Sequence, residues 1–213
     1  MNKFVLRGYS WVAFIFCIIT IGVHLFLYPK LPSIVPYHWN IHGEVDRTGP
    51  KYLLLIFSCL PMIMYGFLLF FPNFDRKKNA YNKHKKAYSV FLLVIVLFLS
   101  VISVVILLIS LGYSIDIISA LGAILGMTLL ITGNYMRQIR PNSMFGIRTP
   151  WSIASERNWR STHRLGSVLF ALSGLLMIIS ALIQSTWLMI LGTTILILSS
   201  IFLFIYSYLL SKK

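Results

Sequence analysis

Residues 89–111 read SVFLLVIVLFLSVISVVILLISL, 23 positions with no charged side chain and only serines among the apolar residues. A helix needs about 20 mostly apolar residues to cross the hydrocarbon layer of a bilayer, and this run meets that length. Working outward, five more runs qualify, near 9–28, 52–71, 116–136, 165–183 and 187–209. The whole chain agrees: it is 58% hydrophobic and only 11% charged, with a mean hydropathy of +0.82. A soluble domain carries about 25% charged residues. A core of this size cannot hide so much apolar surface, so lipid must solvate the excess. The expected fold is an all-α polytopic integral membrane protein with six transmembrane helices.

Lys3 and Arg7 precede the first run, as they would in a signal peptide. The run continues through VHLFLY (residues 23–28) with no small-residue cleavage site, so it reads as a retained helix.

The formal net charge is +14. On a soluble protein that would point to nucleic acid, but no basic patch is interleaved with aromatics on a soluble face, and direct nucleic-acid binding is not expected. Where the charges fall explains them better. Of the 19 Lys and Arg, only Lys30, Arg47 and Lys51 lie in the first, third or fifth connection. The others lie at the two termini, in the second connection (Arg76 to Lys86) and in the fourth (Arg137 to Arg164). Basic residues collect on cytoplasmic loops. Both termini are therefore expected in the cytoplasm, with residues 31–51 outside and residues 137–164 inside. The Arg76–Lys86 cluster reads as a solvated, lipid-facing basic segment.

Several polar or small residues have plain structural readings. Cys17 and Cys59 fall in apolar runs and suggest no disulfide framework. Gly122 and Gly126 are spaced for close helix approach. Asp116 is expected to cap the fourth helix, and Pro61 to kink the second. His24 is placed near the outer end of the first helix, within reach of the interface. No internal repeat is visible.

Two polar islands remain. The outer one, LPSIVPYHWNIHGEVDRTGPK (residues 31–51), holds two of the five histidines and two of the five acidic residues. Pro32 and Pro36 favour extended backbone. Tyr37 and Trp39 suit the headgroup interface, and Gly43 and Gly49 give turns. The expectation is an extended segment lying along the membrane. There Asp46 pairs with Arg47 or Lys51, and His38 bonds the backbone. His38, His42, Glu44 and Asp46 are zinc-type ligands, but the loop lacks a metal-binding spacing such as HExxH. A recognition surface for an external ligand is the preferred functional reading.

The inner island, residues 137–164, contains FGIRTPW. Asn142 and Gly146 mark turns. The stretch TPWSIASERNW is expected to form a short amphipathic helix on the inner interface, capped by Ser152 or Ser155, with Ile153 and Trp159 facing lipid. Arg148 is expected to aim its guanidinium at Glu156 or at helix-end carbonyls. No GxSxG-type nucleophile motif is present. No catalytic residue and no cofactor are assigned.

The outer island resembles the first motif of a widespread bacterial membrane domain of unassigned biochemistry, roughly LPxx(V/I)PxH(W/F)(N/D)xxGxxD with a lysine soon after. Residues 133–166, GNYMRQIRPNSMFGIRTPWSIASERNWRSTHRLG, resemble the signature of the SdpI family. The likeness extends over about residues 10–209. It implies a membrane immunity protein that protects a producing bacterium from its own secreted membrane-active peptide toxin. In some systems such a protein also signals by holding a cytoplasmic transcriptional repressor at the membrane. The positions carried over are Pro36, His38, Trp39, Asn40, Gly43 and Asp46 outside, with Lys51 closing the loop. Inside they are Asn142, Gly146, Arg148, Thr149, Pro150, Trp151, Trp159 and His163, with Glu156 beside them. The expected partners are a secreted peptide toxin, the lipid bilayer of the bacterial plasma membrane and a cytoplasmic repressor. Residues 1–88 are expected to form a helix pair with its outer loop and basic linker, and residues 89–213 a four-helix region. Two alternatives stand: a membrane-embedded metal-dependent hydrolase using His38, His42, Glu44 and Asp46, and a small transporter with sites near His24 and Asn134.

Overall fold

A computed structural model describes residues 8–75, 84–143 and 145–212. Lys3, Arg7, Lys213 and the basic cluster from Arg76 to Lys83 lie outside the described residues. The order is α1 (Tyr9–Leu27), β1 (Ile34–Trp39), β2 (Val45–Pro50), α2 (Tyr52–Phe70), α3 (Lys85–Ser110), α4 (Ile117–Met136), α5 (Pro150–Ala154), α6 (Glu156–Ile183) and α7 (Thr186–Ser211). All the helices but the short α5 are long and apolar enough to cross a membrane.

Burial in this bundle is inverted relative to a soluble protein. The buried face of α1 is Ser10, Ala13, Cys17, Thr20 and His24, spaced three or four apart so that they form one stripe. Its large side chains, including Trp11, Ile15, Phe16 and Ile19, point outward. Lipid tails are as apolar as leucine, so helices gain nothing by burying bulk; they associate by close packing of small faces. On α3, Ser100, Ser103, Leu107 and Ser110 repeat the pattern. Between α4 and α6 it reaches its limit. A Cβ on Gly126 would sit 2.6 Å from the Gly174 carbonyl, and one on Gly174 would sit 2.5 Å from the Gly126 carbonyl. The two backbones touch, and neither glycine has room for a side chain.

Helix α3 is the common neighbour of the two helix groups. It packs against α1, α2 and α4, while α4 packs against α6 and α6 against α7. Ala13, Cys17, Leu68, Leu92 and Val96 form the α1–α2–α3 core. The Tyr88 hydroxyl donates to the Leu68 carbonyl at 2.6 Å, tying α3 to α2. His24 is buried between α1 and α3, not at the interface. Its Nδ1 lies 2.8 Å from the Thr20 carbonyl, which can only accept. Nδ1 therefore carries the proton, and Nε2 accepts from the Ser103 hydroxyl at 3.1 Å. Both ring nitrogens are satisfied inside the bundle.

Two elements depart from the sequence reading, and a third agrees with it. Residues 34–50 are an antiparallel β-hairpin, so the fold is mostly helical rather than all-α. Pro36 has no N–H to give to a ladder, and the register shifts between Pro36 and His38. The strand survives its proline by bulging there, which a proline count alone does not reveal. Helix α6 starts at Glu156, nine residues before the expected 165. The charges of its first turns end the apolar run in the sequence but not the helix. Asp116 caps α4 as expected, accepting from the Ile118 N–H at 3.1 Å.

Candidate functional site

Polar chemistry gathers at the two ends of the bundle. At one end stands the hairpin. Its base is anchored by Leu31 and Val35, buried with Leu54 and Leu107. Lys51 works on the same anchor: its Nζ donates to the carbonyls of Tyr28 (3.3 Å) and Leu31 (3.4 Å) and lies 4.6 Å from the Tyr28 ring centre. It closes the loop against the end of α1. His38 and Asp46 face each other across the strands, Nδ1 to Oδ1 at 2.6 Å, both exposed. Asp46 thus pairs with His38, and His38 with a carboxylate rather than the backbone.

The tip is organised by Asn40. Its Oδ1 accepts from the N–H groups of His42 (2.9 Å) and Glu44 (3.0 Å), and its Nδ2 donates to Glu44 Oε2 at 2.8 Å. Gly43 turns the chain at φ 81 and rests on the start of α4, where a Cβ would lie 3.2 Å from Ile118 Cγ1. Trp39 is half-buried at the end of β1. Asn40, Gly43 and Lys51 therefore shape and dock the hairpin, while His38 and Asp46 are displayed on it. Among the described residues, no group of three or more His, Cys, Asp or Glu is placed to hold a metal ion.

At the opposite end, residues 137–143 and 145–155 fold into a cap over α3, α6 and α7. Trp159 is fully buried, not lipid-facing. Its indole donates to the Ile139 carbonyl at 2.9 Å, and its ring stacks on His163 with centroids 4.1 Å apart. Burying a Trp needs a partner for its N–H, and the turn before the motif supplies it. Ile153 packs against the same cluster. The expected amphipathic interface helix is instead a packed cap. His163 Nδ1 donates to the Trp159 carbonyl (2.9 Å), which leaves Nε2 to accept from the Ile147 N–H (3.1 Å). The imidazole is thereby a neutral, fully used structural group.

Each remaining residue of FGIRTPW has a place. Phe145 joins the core with Tyr88 and Met136. Gly146 turns at φ 104. Thr149 caps α5 in a reciprocal box with Ser152, where Ser152 or Ser155 was expected as the cap, while Ser155 caps α6. Pro150 opens α5, where a missing N–H costs nothing. Trp151 packs edge-on against Phe204 and Tyr208 of α7, centroids 5.2 and 4.9 Å away. Asn142 is buried and closes the preceding turn, donating to the Arg140 carbonyl (2.9 Å) and accepting from the Phe145 N–H (2.7 Å). Arg148 alone in the RTPW stretch presents an exposed charge. Glu156 accepts from Arg160 at 2.6 Å, one helical turn away.

Four participants were not singled out in the sequence. Asn158 donates to the Ser207 carbonyl (2.7 Å) and accepts from the Ser207 hydroxyl (3.0 Å), and Ser207 also meets Thr149. Asp75 accepts from the Ser143 N–H at 3.0 Å. His84 accepts from the Arg140 N–H at 3.3 Å. Burial pushes the His84 imidazole down to about 4, with Asp75 opposing that shift and Arg140 adding to it. The linker before α3 is thus bonded to the cap before α5. Ser207 and Asn158 are ordinary polar residues on helices, and only their meeting across 49 positions gives them meaning.

A bundle with polar groups built into its two ends defines a multi-pass membrane protein whose chemistry is presented at its faces. Residues 138–207 match the SdpI/YfhL protein family, and residues 15–64 match a domain of unknown function (DUF1648). The immunity protein SdpI of Bacillus subtilis (strain 168) is 30% identical over 153 residues, which is 72% of each chain. The chain belongs to the SdpI family. No solved structure matches it.

Proposed function

We propose that this chain is a bacterial plasma-membrane immunity protein. It faces the exterior with its hairpin end, keeps both termini in the cytoplasm, and binds a secreted membrane-active peptide toxin before the toxin can breach the bilayer. Kinship with an immunity protein carries the reading. The asymmetry of Lys and Arg supports the orientation. In this reading residues 1–88 bring the toxin-facing hairpin, with His38 and Asp46 displayed and Trp39 beside them. Residues 89–213 bring the cap, whose Arg148 is the charge offered to a cytoplasmic transcriptional repressor. Neither role calls for a catalytic residue or a cofactor.

The test is survival. A sensitive bacterium expressing the chain is challenged with the secreted peptide fraction of the organism that encodes it. Survival well above an empty-vector control is expected. Equal killing, with the protein present in the membrane, refutes the reading.

A further inference from the structure

At the hairpin end, three separated parts of the chain meet around a cleft of about 210 Å³. The hairpin tip contributes Ile41 and His42, the start of α4 contributes Asp116 and Ser119, and the α6–α7 corner contributes Gln184 and Thr186. The corner is sharp: Gln184 is the one non-glycine residue with positive φ among the described residues (φ 53). Ser180 donates to the Ser185 carbonyl at 2.8 Å and holds it closed.

Among the described residues, Asp116 is the single acid lining the cleft, and no Lys or Arg lines it. The Asp116 carboxylate is fixed by two donors, the Ile118 N–H at 3.1 Å and the Ser119 hydroxyl at 2.5 Å. A carboxylate offers about four lone-pair sites, so acceptor capacity remains for a ligand. The N-terminal ends of α4 and α7 bring partial positive charge of roughly half a unit each, and the C-terminal end of α6 brings the opposite. The full charge of Asp116 decides the sign.

The surroundings are of the other kind. Ile41, on the wall of the cleft, is 83% exposed, and the chain next to Gln184 and Thr186 carries the exposed Leu182, Ile183 and Trp187 (81%). An acid-bearing cleft flanked by exposed apolar residues complements a peptide that lies in the membrane interface and carries a positive group. We propose that this cleft is a binding site for an ammonium or guanidinium group presented by a membrane-bound peptide. The cation site follows from the cleft itself; that its ligand belongs to a toxin rests on the immunity reading above.

The test reads the field in the cleft with small probes. Thr186→Cys places a thiol on its wall, and its reaction rates with a quaternary-ammonium methanethiosulfonate and with the sulfonate analogue are compared in the full chain in phosphatidylcholine nanodiscs. The protein without the new cysteine gives the background from Cys17 and Cys59. Relative to the ratio on a free thiol, the cationic reagent should be favoured about tenfold, as expected for a focused local field. Asp116→Asn keeps a good helix cap and should bring that preference down to within about twofold of the free-thiol ratio. Glu156→Gln, at the other end of the bundle, should leave it in place. A preference that survives Asp116→Asn, or that Glu156→Gln removes equally, overturns the site. Loss of the preference in Asp116→Asn, in a chain that never protects cells, would leave the cation site standing and remove the immunity reading. An unchanged preference in a chain that does protect would do the reverse.

Discussion

Gly146 lies against the imidazole of His163, so close that an added Cβ would fall 2.5 Å from Nε2. The next residue, Ile147, gives its N–H to that same nitrogen at 3.1 Å. A left-handed glycine and a neutral histidine thus specify each other. The glycine lets the backbone come near, and the histidine satisfies the amide that arrives.

Gly146→Ala should strain φ and collide with the ring. His163→Ala should leave the part-buried Ile147 N–H without its acceptor. Each should cost about 1–3 kcal/mol, read as an earlier thermal unfolding of the purified protein in detergent. Unchanged melting for both would show that the cap does not depend on this pair.

Arg148 stands on a framework of capped, anchored residues, and that makes its shape matter more than its charge. Arg148→Lys should impair protection, or signalling to a repressor, whereas Arg140→Lys and Arg157→Lys should not, because lysine cannot copy a planar fork. The check is survival under toxin challenge at matched membrane levels. Equal survival of all three would reduce the segment to a source of positive charge.

On the outer hairpin, Asp46→Ala and His38→Ala each break one exposed pair. Exposed pairs contribute about 1 kcal/mol or less, so the protein should remain in the membrane at normal levels while protection is lost. Loss of the protein itself would assign the pair to folding.

Protonating His84 removes the acceptor used by the Arg140 N–H. Its ordinary value is 6.5 and burial holds it at about 4. Because the folded value is the lower one, the docked linker has its full stability above about pH 6.5 and loses it as pH falls toward about 4. Hydrogen exchange at the Arg140 amide, corrected for the intrinsic effect of pH, should show protection that declines through that window. A flat profile would sever the linker's docking from this histidine.

Orientation is open to direct labelling. A membrane-impermeant thiol reagent on intact cells should reach Thr186→Cys and should reach Arg157→Cys only after the membrane is opened. The opposite pattern would invert the proposed topology.

How much of this was legible in the sequence depends on the distance over which each residue acts. The six spans were plain, because lipid demands an uninterrupted apolar length and 89–111 supplies it without ambiguity. The Asp116 cap was plain too, since it acts within three residues of itself. The hairpin was missed because Pro36 argues against a strand, and only the pairing partner absorbs the missing N–H as a bulge. The pattern of an amphipathic interface helix turns Trp159 outward, toward lipid. What buries it, the Ile139 carbonyl, belongs to a turn 20 positions earlier. Charge marks which residues leave the membrane, but it does not tell which of them fold back on the bundle.

Helix α3 has 26 residues, at 1.5 Å each a rod of about 39 Å. Near one tip it holds Leu107 beneath the hairpin, and near the other it holds Tyr88 beneath the cap. No loop is interposed along its length to absorb movement. A ligand that shifted the hairpin would therefore work on a lever whose far arm already touches the cap at the opposite end, and the shift would travel as a tilt of one rod.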